Sequence, residues 1–337
     1  MLSQAIAPLL ISDLSSVLIF HLDLQFFLPM LLHYDFSPSV IAFSTERDAT
    51  DPSSPYDAFN ITHYTADDPA HVIACRQQLC ASLGIDSRHL ILPRQVHGTQ
   101  VLEVTEDLIA AVPSTLVPAP SASPVPASAS PPVSAPVASS ASAVVPADSS
   151  AVPPSPSPLD GVDALITRVP RTCIGVSTAD CVPILLYDPT TAAIAAIHAG
   201  WRGTVARIAS LTLAAMQARF GTRLSDVRAV IGPSIGPDAF EVGDEVYDAF
   251  LSANFPMRDI AFKAPAMSSL PHPSASVPLR WHIDLWQANA HDLISAGVPE
   301  AAIHISSLCT YTLHNRFFSA RRLGIHSGRI FTGIMMK

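Results

Sequence analysis

The chain has 337 residues, of which 49% are hydrophobic and 14% charged, so it can bury a large core and is not disordered overall. Its formal net charge of −9 argues against wholesale binding to a nucleic-acid backbone, which requires a basic surface. The five cysteines form no CxxC pair, and we expect reduced thiols, no structural disulfide and a cytoplasmic location.

An apolar run at residues 17–32 lies near the N-terminus and is interrupted by His21, Asp23 and Pro29. The run is shorter than the roughly 20 apolar residues of a membrane span, and it lacks the basic start and cleavage site of a secretory signal. We therefore expect a peripheral or core-packing segment and no membrane association. Met30 is a candidate start, which would make residues 1–29 an N-terminal extension of a domain spanning 30–337.

Strand and helix patterns alternate along the chain, which predicts an α/β (α+β) fold with mixed β-sheets covered by helices in one layered domain. The predicted strands are 40–45, 90–104, 172–177, 184–187, 192–197, 303–307 and 329–335. The predicted helices are 69–83, 204–220 with Thr204 as its N-cap, and 285–295, with a further helix after the IGPSIGP segment at 231–237.

Residues 111–159 interrupt this alternation with a stretch made almost entirely of Ala, Ser, Pro and Val, in which Asp148 is the only charge. Proline breaks helices and strand ladders, and the small side chains bury too little area to offset the entropy of ordering. We predict a disordered, partly polyproline-II insert. If its two ends lie close in space, it is a long loop inserted into one fold.

A hairpin predicted around the Asp188-Pro-Thr-Thr191 turn draws two reactive side chains together. With a symmetric turn, paired residues have numbers that sum to 379, and Cys181 and His198 satisfy this sum. They would then face each other with Cβ atoms roughly 5 Å apart. A thiolate and an imidazole at this separation can share a zinc ion, or can form a Cys-His nucleophile dyad. A buried cysteine opposite an unrelated histidine is the structural alternative.

Two further segments carry candidate ligand contacts. The segment HAGWRGT at 198–204 joins two glycines, Arg202 and a predicted helix start, a combination suited to an anion such as phosphate. The segment QVHG places His97 beside a glycine at the end of a predicted strand. Taken alone, the first is equally typical of a glycine turn with a surface arginine, and a lone histidine is usually structural.

In order, the chain reads QVHG, STADCVPILLYDP, AAIHAGWRGT, IGPSIGPDAFEVGDEV, and CTYT followed by FFSARR. This series resembles the laccase-domain family, once called multicopper polyphenol oxidases and now regarded as purine nucleoside phosphorylases, with a peptidoglycan-editing member. The resemblance runs from about Met30 to the C-terminus, apart from the insert. It implies that residues 30–337 form a laccase-like purine nucleoside phosphorylase domain.

The resemblance implies that His97, Cys181 and His198 are both the metal ligands and the catalytic residues. It also implies phosphorolysis of adenosine, inosine and 5′-methylthioadenosine, and deamination of adenosine. The family's early Ser-Thr-Arg segment and a later asparagine fall on Arg47, displaced by one position, and on Asn60. FFSARR places Arg321 and its neighbour on the family's basic pair, and Arg321 is a candidate phosphate contact beside Arg202.

Three protein ligands leave one position of a tetrahedral zinc open, which is typical of a catalytic site. We expect zinc rather than copper, because copper oxidases need His-x-His pairs and the chain contains none. The expected partners are purine nucleosides and phosphate, with the oligomeric state left open. Two alternatives remain: a Cys-His hydrolase acting on a peptidoglycan precursor, and a non-enzymatic zinc-stabilised binding protein. Asp180 is a candidate proton shuttle, although strand alternation favours a structural role.

Overall fold

The computed structural model describes residues 31–47, 51, 53–56, 58–112, 157–266 and 278–337. Within these ranges the strands are β1 (Leu31–Tyr34), β2 (Val40–Thr45), β3 (Leu90–Ile91), β4 (Val101–Glu103), β5 (Ala164–Thr167), β6 (Cys173–Thr178), β7 (Val182–Asp188), β8 (Ala193–Ala199), β9 (Arg228–Ile231), β10 (Glu241–Val242), β11 (Ala261–Pro265), β12 (Leu279–Ile283), β13 (Ile303–Ile305) and β14 (Ile330–Met336). The α-helices are α1 (Pro69–Leu83), α2 (Glu106–Ala111), α3 (Trp201–Val205), α4 (Ile208–Phe220), α5 (Asp244–Ser252), α6 (Met257–Ile260), α7 (Leu285–Ala296) and α8 (Ala320–Leu323).

The strands form three sheets. The order is β1-β2-β14-β6-β3 in a five-stranded sheet, β13-β9-β7-β8-β5-β4 in a six-stranded sheet, and β10-β12-β11 in a small sheet. Three pairs are parallel, namely β3 with β6, β4 with β5, and β13 with β9, and the other pairs are antiparallel. The two larger sheets are therefore mixed, as the sequence predicts.

The two larger sheets lie face to face and are covered on their outer sides by helices. Val176 and Ile334 of the five-stranded sheet share an apolar cluster with Leu185 and Ala196 of the six-stranded sheet. On the outer face of the five-stranded sheet, α1 packs in a second apolar cluster. On the outer face of the six-stranded sheet, α4 and α7 pack in a third. Because both faces of this sheet are covered, every residue of β7 and β8 is buried. Strands buried on both faces read as continuous apolar runs in the sequence.

Helix α1 has the bounds that its sequence predicts. Asp68 caps it by accepting a hydrogen bond from the backbone N–H of Ala70, and Pro69 occupies the first turn, where no backbone donor is needed. Gly84 ends the helix in the left-handed conformation at φ 64°. The prediction for this helix is confirmed, and so is that for β2.

The register of the β7–β8 hairpin differs from the prediction. Pro183 lies opposite His198 and Asp188 opposite Ala193, so paired residues have numbers that sum to 381. The loop has four residues rather than two, because the Asp188 carboxylate accepts hydrogen bonds from the backbone N–H groups of Thr190 (2.8 Å) and Thr191 (3.3 Å). The predicted direct pairing of Cys181 with His198 is therefore wrong. The shift is by two positions, which preserves the side-chain face.

The helix predicted at 204–220 is two helices, α3 and α4. Arg207 separates them in the left-handed conformation at φ 63°, and its guanidinium donates to Asp292 and to the carbonyl of Ala253. Helix α3 already begins at Trp201 after Gly200, without a side-chain cap, and Thr204 lies inside it. The prediction of Thr204 as the N-cap is wrong. Its hydroxyl instead donates to the carbonyl of Gly200, at 3.1 Å.

The strand predicted at 90–104 is interrupted in its middle. Only β3 and β4 at its two ends pair in sheets, and the QVHG segment forms a loop between them. The backbone N–H groups of this loop are bound by the Asp163 carboxylate instead of a neighbouring strand. The small sheet of β10, β11 and β12 was not predicted.

Both ends of the predicted insert at 111–159 touch the described fold. Ala111 is the last residue of α2, and the carbonyl of Leu159 accepts a hydrogen bond of 2.9 Å from the N–H of Arg94. Strands β4 and β5, which flank the insert in sequence, pair with each other. Residues 113–156 and 1–29 lie outside the described residues. In the part of the chain described here, no helix is long and apolar enough to cross a membrane.

Candidate metal centre

His97 lies in the loop between β3 and β4, in the left-handed conformation at φ 63°. A non-glycine residue adopts this conformation at a cost, so the surrounding structure must hold it. The Asp163 carboxylate does so by accepting hydrogen bonds from three consecutive backbone N–H groups. They come from Val96 at 3.3 Å, His97 at 2.9 Å and Gly98 at 2.7 Å.

Cys181 and His198 reach the same place from the β7–β8 hairpin. His198 lies near the end of β8, opposite Pro183, and Cys181 precedes β7 by one residue. Cys181 is thus displaced along the hairpin by two residues from the partner of His198, and the pair is diagonal rather than directly opposed. Such diagonal neighbours are still within reach of each other's side chains.

One ligand atom from each of His97, Cys181 and His198 lies within 4.8 Å of the other two. Sγ of Cys181 is 3.7 Å from Nε2 of His97, and the two imidazole rings have centroids 4.8 Å apart. His97 is exposed, Cys181 half-buried and His198 buried, so the cluster opens to solvent on the His97 side. Of the residues predicted from sequence, these three are brought together.

The space at the centre of the cluster depends on Gly200. A Cβ atom at this position would lie 2.9 Å from Cδ2 of His97, closer than real Cβ atoms come, and 3.1 Å from Sγ of Cys181, a tight contact. Two imidazole nitrogens and one thiolate form a donor set that suits zinc, and three protein ligands leave a position open. The residues therefore fit a metal ion, and the cluster could hold one.

Asp163, which no sequence motif indicated, connects the two histidines. Its side chain is fully buried, and Oδ1 lies 2.8 Å from Nδ1 of His198. It stands directly before β5, whose register with β8 sets Ala164 opposite Ile197, beside His198. The available signal was a single acidic residue at the head of an apolar strand, which no spacing rule linked to His97.

Burial and charge act in opposite directions on the ionisable groups of the cluster. Burial raises the pKa of the Cys181 thiol, but the charge and hydrogen bonds of His198 and His97 outweigh it and lower the pKa to about 6. Burial lowers the pKa of His198, but the Cys181 thiolate and Asp163 outweigh it and raise the pKa to about 9. Burial also raises the pKa of Asp163, but its hydrogen bonds to His198 and the backbone hold it below its usual range. Without metal, the pair is a thiolate and an imidazolium at neutral pH.

Arg202 and Arg321 both follow the three cluster residues in sequence, and both are exposed. Arg202 comes two residues after Gly200. Its guanidinium carbon is 4.3 Å from the ring centroid of Trp201. Arg321 donates its backbone N–H to Asp180 at 2.6 Å and a side-chain N–H to the carbonyl of Glu241 at 3.2 Å.

Asp180, next to Cys181, binds the C-terminal segment to the cluster. Its carboxylate accepts hydrogen bonds from the Thr310 hydroxyl at 2.6 Å and from the backbone of Arg321. Asp180 itself has φ 86°, a further strained conformation at this site. These contacts match the structural role that strand alternation favours.

Arg47 and Asn60 are buried and are bound to other parts of the chain. The Arg47 guanidinium donates to the carbonyls of His314 (2.6 Å) and Ser54 and lies over the Phe318 ring. The Asn60 amide donates to Asp67 and Thr65 and accepts from two backbone N–H groups. The structure gives both residues internal partners. Their contact with substrate stays a prediction.

The protein is thus a layered α/β protein with a candidate metal centre of two histidines and one cysteine at the end of the β7–β8 hairpin. The chain belongs to the family described as multi-copper polyphenol oxidoreductase laccase, whose model matches residues 41–337. It is 39% identical over 306 residues to adenosine deaminase RL5 from an unknown prokaryotic organism, covering 90% of this chain and 97% of the relative. It is 37% identical over 294 residues to a purine nucleoside phosphorylase from Bacteroides thetaiotaomicron, covering 87% and 90% of the two chains.

Solved structures share the fold. The crystal structure of the hypothetical protein YfiH from Bacillus licheniformis is 25% identical with a TM-score of 0.69, covering 92% of this chain and 97% of that one. YlmD from Geobacillus stearothermophilus is 25% identical with a TM-score of 0.67, covering 92% and 99%. The predicted family and fold class are confirmed, and the chain is an enzyme of a purine nucleoside family.

Proposed function

We propose that this protein is a zinc-dependent purine nucleoside enzyme. Its reactions would be phosphorolysis of adenosine, inosine and 5′-methylthioadenosine, and deamination of adenosine to inosine. The observation that carries the proposal is the set of three ligand atoms within 4.8 Å of one another. It occurs in a chain whose relatives are named adenosine deaminase and purine nucleoside phosphorylase.

Zinc is the proposed ion, with His97, Cys181 and His198 as its ligands. Imidazole and thiolate are common zinc ligands, whereas blue copper sites add a weak axial ligand to two histidines and a cysteine. A zinc ion with three protein ligands supplies Lewis acidity at its remaining coordination position. His97 is the exposed member of the cluster, so substrate is proposed to approach from its side.

Phosphorolysis requires the chain to hold a phosphate near the ribose. A phosphate oxygen forms a bond to C1′, the C1′–N9 bond breaks, and the purine leaves with that electron pair and takes up a proton. Arg202 and Arg321 are the proposed phosphate contacts, since guanidinium groups bind phosphate with paired hydrogen bonds. The positions of both arginines in the chain support this role. Arg202 lies in α3, two residues after Gly200, and the backbone N–H of Arg321 donates to Asp180, the neighbour of Cys181.

Deamination makes a different demand, because water is consumed at C6 of adenine and ammonia leaves, and phosphate takes no part. The two reactions therefore share the cluster but differ in their need for the proposed phosphate contacts. Loss of Arg202 or Arg321 should therefore affect phosphorolysis alone, whereas loss of a metal ligand should affect both reactions.

A second candidate is a Cys-His hydrolase, with a peptidoglycan precursor as its proposed substrate. The observation that favours it is the ion pair of Cys181 and His198, because a thiolate beside an imidazolium is typical of a cysteine nucleophile. The position of His97 within the same cluster favours the metal centre instead, since a dyad does not need it. A non-enzymatic binding protein is set aside because the family is one of enzymes.

The test is product analysis on purified, zinc-loaded protein given adenosine or inosine, with and without phosphate. We expect free base and ribose 1-phosphate only with phosphate, and inosine from adenosine in both cases. Cys181→Ala should lose both activities, and Cys80→Ala, which removes a buried thiol of α1, should keep them. Nucleoside turnover that survives complete metal removal but is lost in Cys181→Ala would contradict the zinc mechanism and favour Cys181 as a nucleophile. No turnover of any nucleoside would contradict the proposal.

A further inference from the structure

Both oxygens of the Asp163 carboxylate face hydrogen-bond donors at the candidate metal centre. Oδ1 lies 2.9 Å from the backbone N of His97 and 2.8 Å from Nδ1 of His198. Oδ2 lies 2.7 Å from the backbone N of Gly98 and 3.3 Å from that of Val96. One buried side chain thus contacts the loop that carries one proposed ligand and the ring of another.

The contact with His198 decides which of its ring nitrogens faces the cluster. A carboxylate only accepts hydrogen bonds, so Nδ1 must carry a proton when it faces Asp163. The other nitrogen, Nε2, is then the one left with a lone pair in the neutral ring. Hydrogen bonds of this kind fix the tautomer and the orientation of metal-binding histidines.

The contact with the His97 loop stabilises a strained backbone. His97 has φ 63°, and three consecutive N–H groups of its loop converge on the one carboxylate. The backbone of Asp163 also takes part, since its carbonyl accepts the N–H of His198 at 2.8 Å. Asp163 therefore sets the distance between the loop and the hairpin.

We infer that Asp163 is the positioning residue of the metal centre: it holds His198 with Nε2 toward the cluster and fixes the His97 loop beside it. This inference rests on the proposed zinc-binding function. It assigns Asp163 no contact with substrate and no step in the reaction.

The variant Asp163→Asn tests the inference because it keeps the shape and changes the hydrogen bonding. An amide group placed at Oδ2 would face two backbone N–H groups, which cannot become acceptors. Placed at Oδ1, it would face the N–H of His97 and also Nδ1 of His198, which can become an acceptor if the ring changes tautomer. The second arrangement leaves the proton on Nε2, where it blocks metal binding.

Asp188→Asn is the matched control. Asp188 is also fully buried and accepts two backbone N–H bonds, but it lies at the opposite end of the β7–β8 hairpin. Its other oxygen accepts from the Thr191 hydroxyl at 2.5 Å, and a hydroxyl can reverse its role to accept from an amide. The control therefore removes one buried charge without touching the cluster.

The experiment is a competition titration of zinc with a chelator, on folded protein verified by circular dichroism. We expect Asp163→Asn to bind zinc about 10–100-fold more weakly than wild type, and Asp188→Asn to bind it as wild type does. Equal affinity of Asp163→Asn and wild type would overturn the inference and leave the proposed function standing. A wild-type protein without zinc affinity would overturn both.

A second measurement keeps the inference testable should Asp163→Asn fail to fold. Long-range ¹H–¹⁵N NMR of histidine-labelled, zinc-loaded wild type reads the tautomer of each ring directly. We expect the ring assigned to His198 to carry its proton on Nδ1. A proton on Nε2 of this ring, or a ring bound to zinc through Nδ1, would overturn the inference.

Discussion

A Cβ atom built on Gly200 would lie 3.1 Å from Sγ of Cys181, a tighter contact than most real Cβ atoms make. Gly200 has φ −64° and ψ 166°, a conformation open to any residue, so its lack of a side chain matters for space and not for backbone freedom. This residue therefore sets how closely Cys181, His97 and His198 can surround an ion.

Gly200→Ala should weaken zinc binding about 10–100-fold, because overpacking costs roughly 1–3 kcal/mol. The control is Gly203→Ala in the same HAGWRG segment, where a Cβ would meet its nearest neighbours at 3.4–3.5 Å, an ordinary contact. Zinc affinity measured by competition should fall only in the first variant. Equal affinity in both would show that the cluster does not bind metal in the arrangement described.

Zinc binding should release one proton from the Cys181–His198 pair between pH 6 and 9. In this window the free pair is a thiolate and an imidazolium, since their pKa values are about 6 and about 9. A ligating imidazole gives up its Nε2 proton, while Nδ1 keeps its proton and donates it to the Asp163 carboxylate. Affinity should therefore fall about tenfold per pH unit as pH falls from 9 to 6, and more steeply below 6, where the thiolate is also protonated.

Calorimetry in buffers of different ionisation enthalpy counts the released proton directly. At pH 7.5 we expect about one proton per zinc ion from this pair. A binding enthalpy independent of the buffer would contradict the ion pair and the assignment of its two members as ligands.

Arg321→Gln should impair phosphorolysis and spare deamination. Loss of one charge-assisted contact to phosphate costs about 1.5–3 kcal/mol, or about 10–100-fold in kcat/KM for phosphate. Arg322→Gln is the control, because this neighbouring cation contacts the Tyr311 ring and hydroxyl instead. If both variants lose adenosine deamination as well, Arg321 acts on the fold of the site and not on phosphate.

Replacing residues 113–156 by a short Gly/Ser linker should leave zinc content and turnover unchanged. Strands β4 and β5 on the two sides pair with each other, and the hydrogen bond from Arg94 to Leu159 is retained. The comparison is made with the full chain at equal zinc content. Loss of turnover with zinc retained would assign the insert a direct part in the reaction.

Local signals in the sequence predicted α1, and its bounds follow from Asp68, Pro69 and Gly84. They could not give the hairpin register, because the two-residue and four-residue turns share the same letters. The choice depends on the Asp188 side chain bonding Thr190 and Thr191. The shift of two positions kept Cys181 and His198 on one face, so the predicted cluster survived an error in register.

Contacts between distant segments were beyond the sequence patterns. Asp163 binds a loop 66 residues before it, and no spacing rule connects the two. Arg207 breaks a continuous helical pattern because Asp292 and the Ala253 carbonyl bind its guanidinium. Thr204 was predicted as the N-cap because a helical pattern follows it and threonine can cap a helix, but the helix begins at Trp201, after Gly200 and without a side-chain cap.

We propose that His97, Cys181 and His198 hold a zinc ion needed for nucleoside chemistry. The most direct measurement is elemental analysis of the purified protein together with adenosine and inosine turnover, for wild type, Cys181→Ala and Cys80→Ala. We predict one zinc per chain with turnover in wild type and Cys80→Ala, and loss of both in Cys181→Ala. A metal-free wild type that turns over nucleosides would contradict the account.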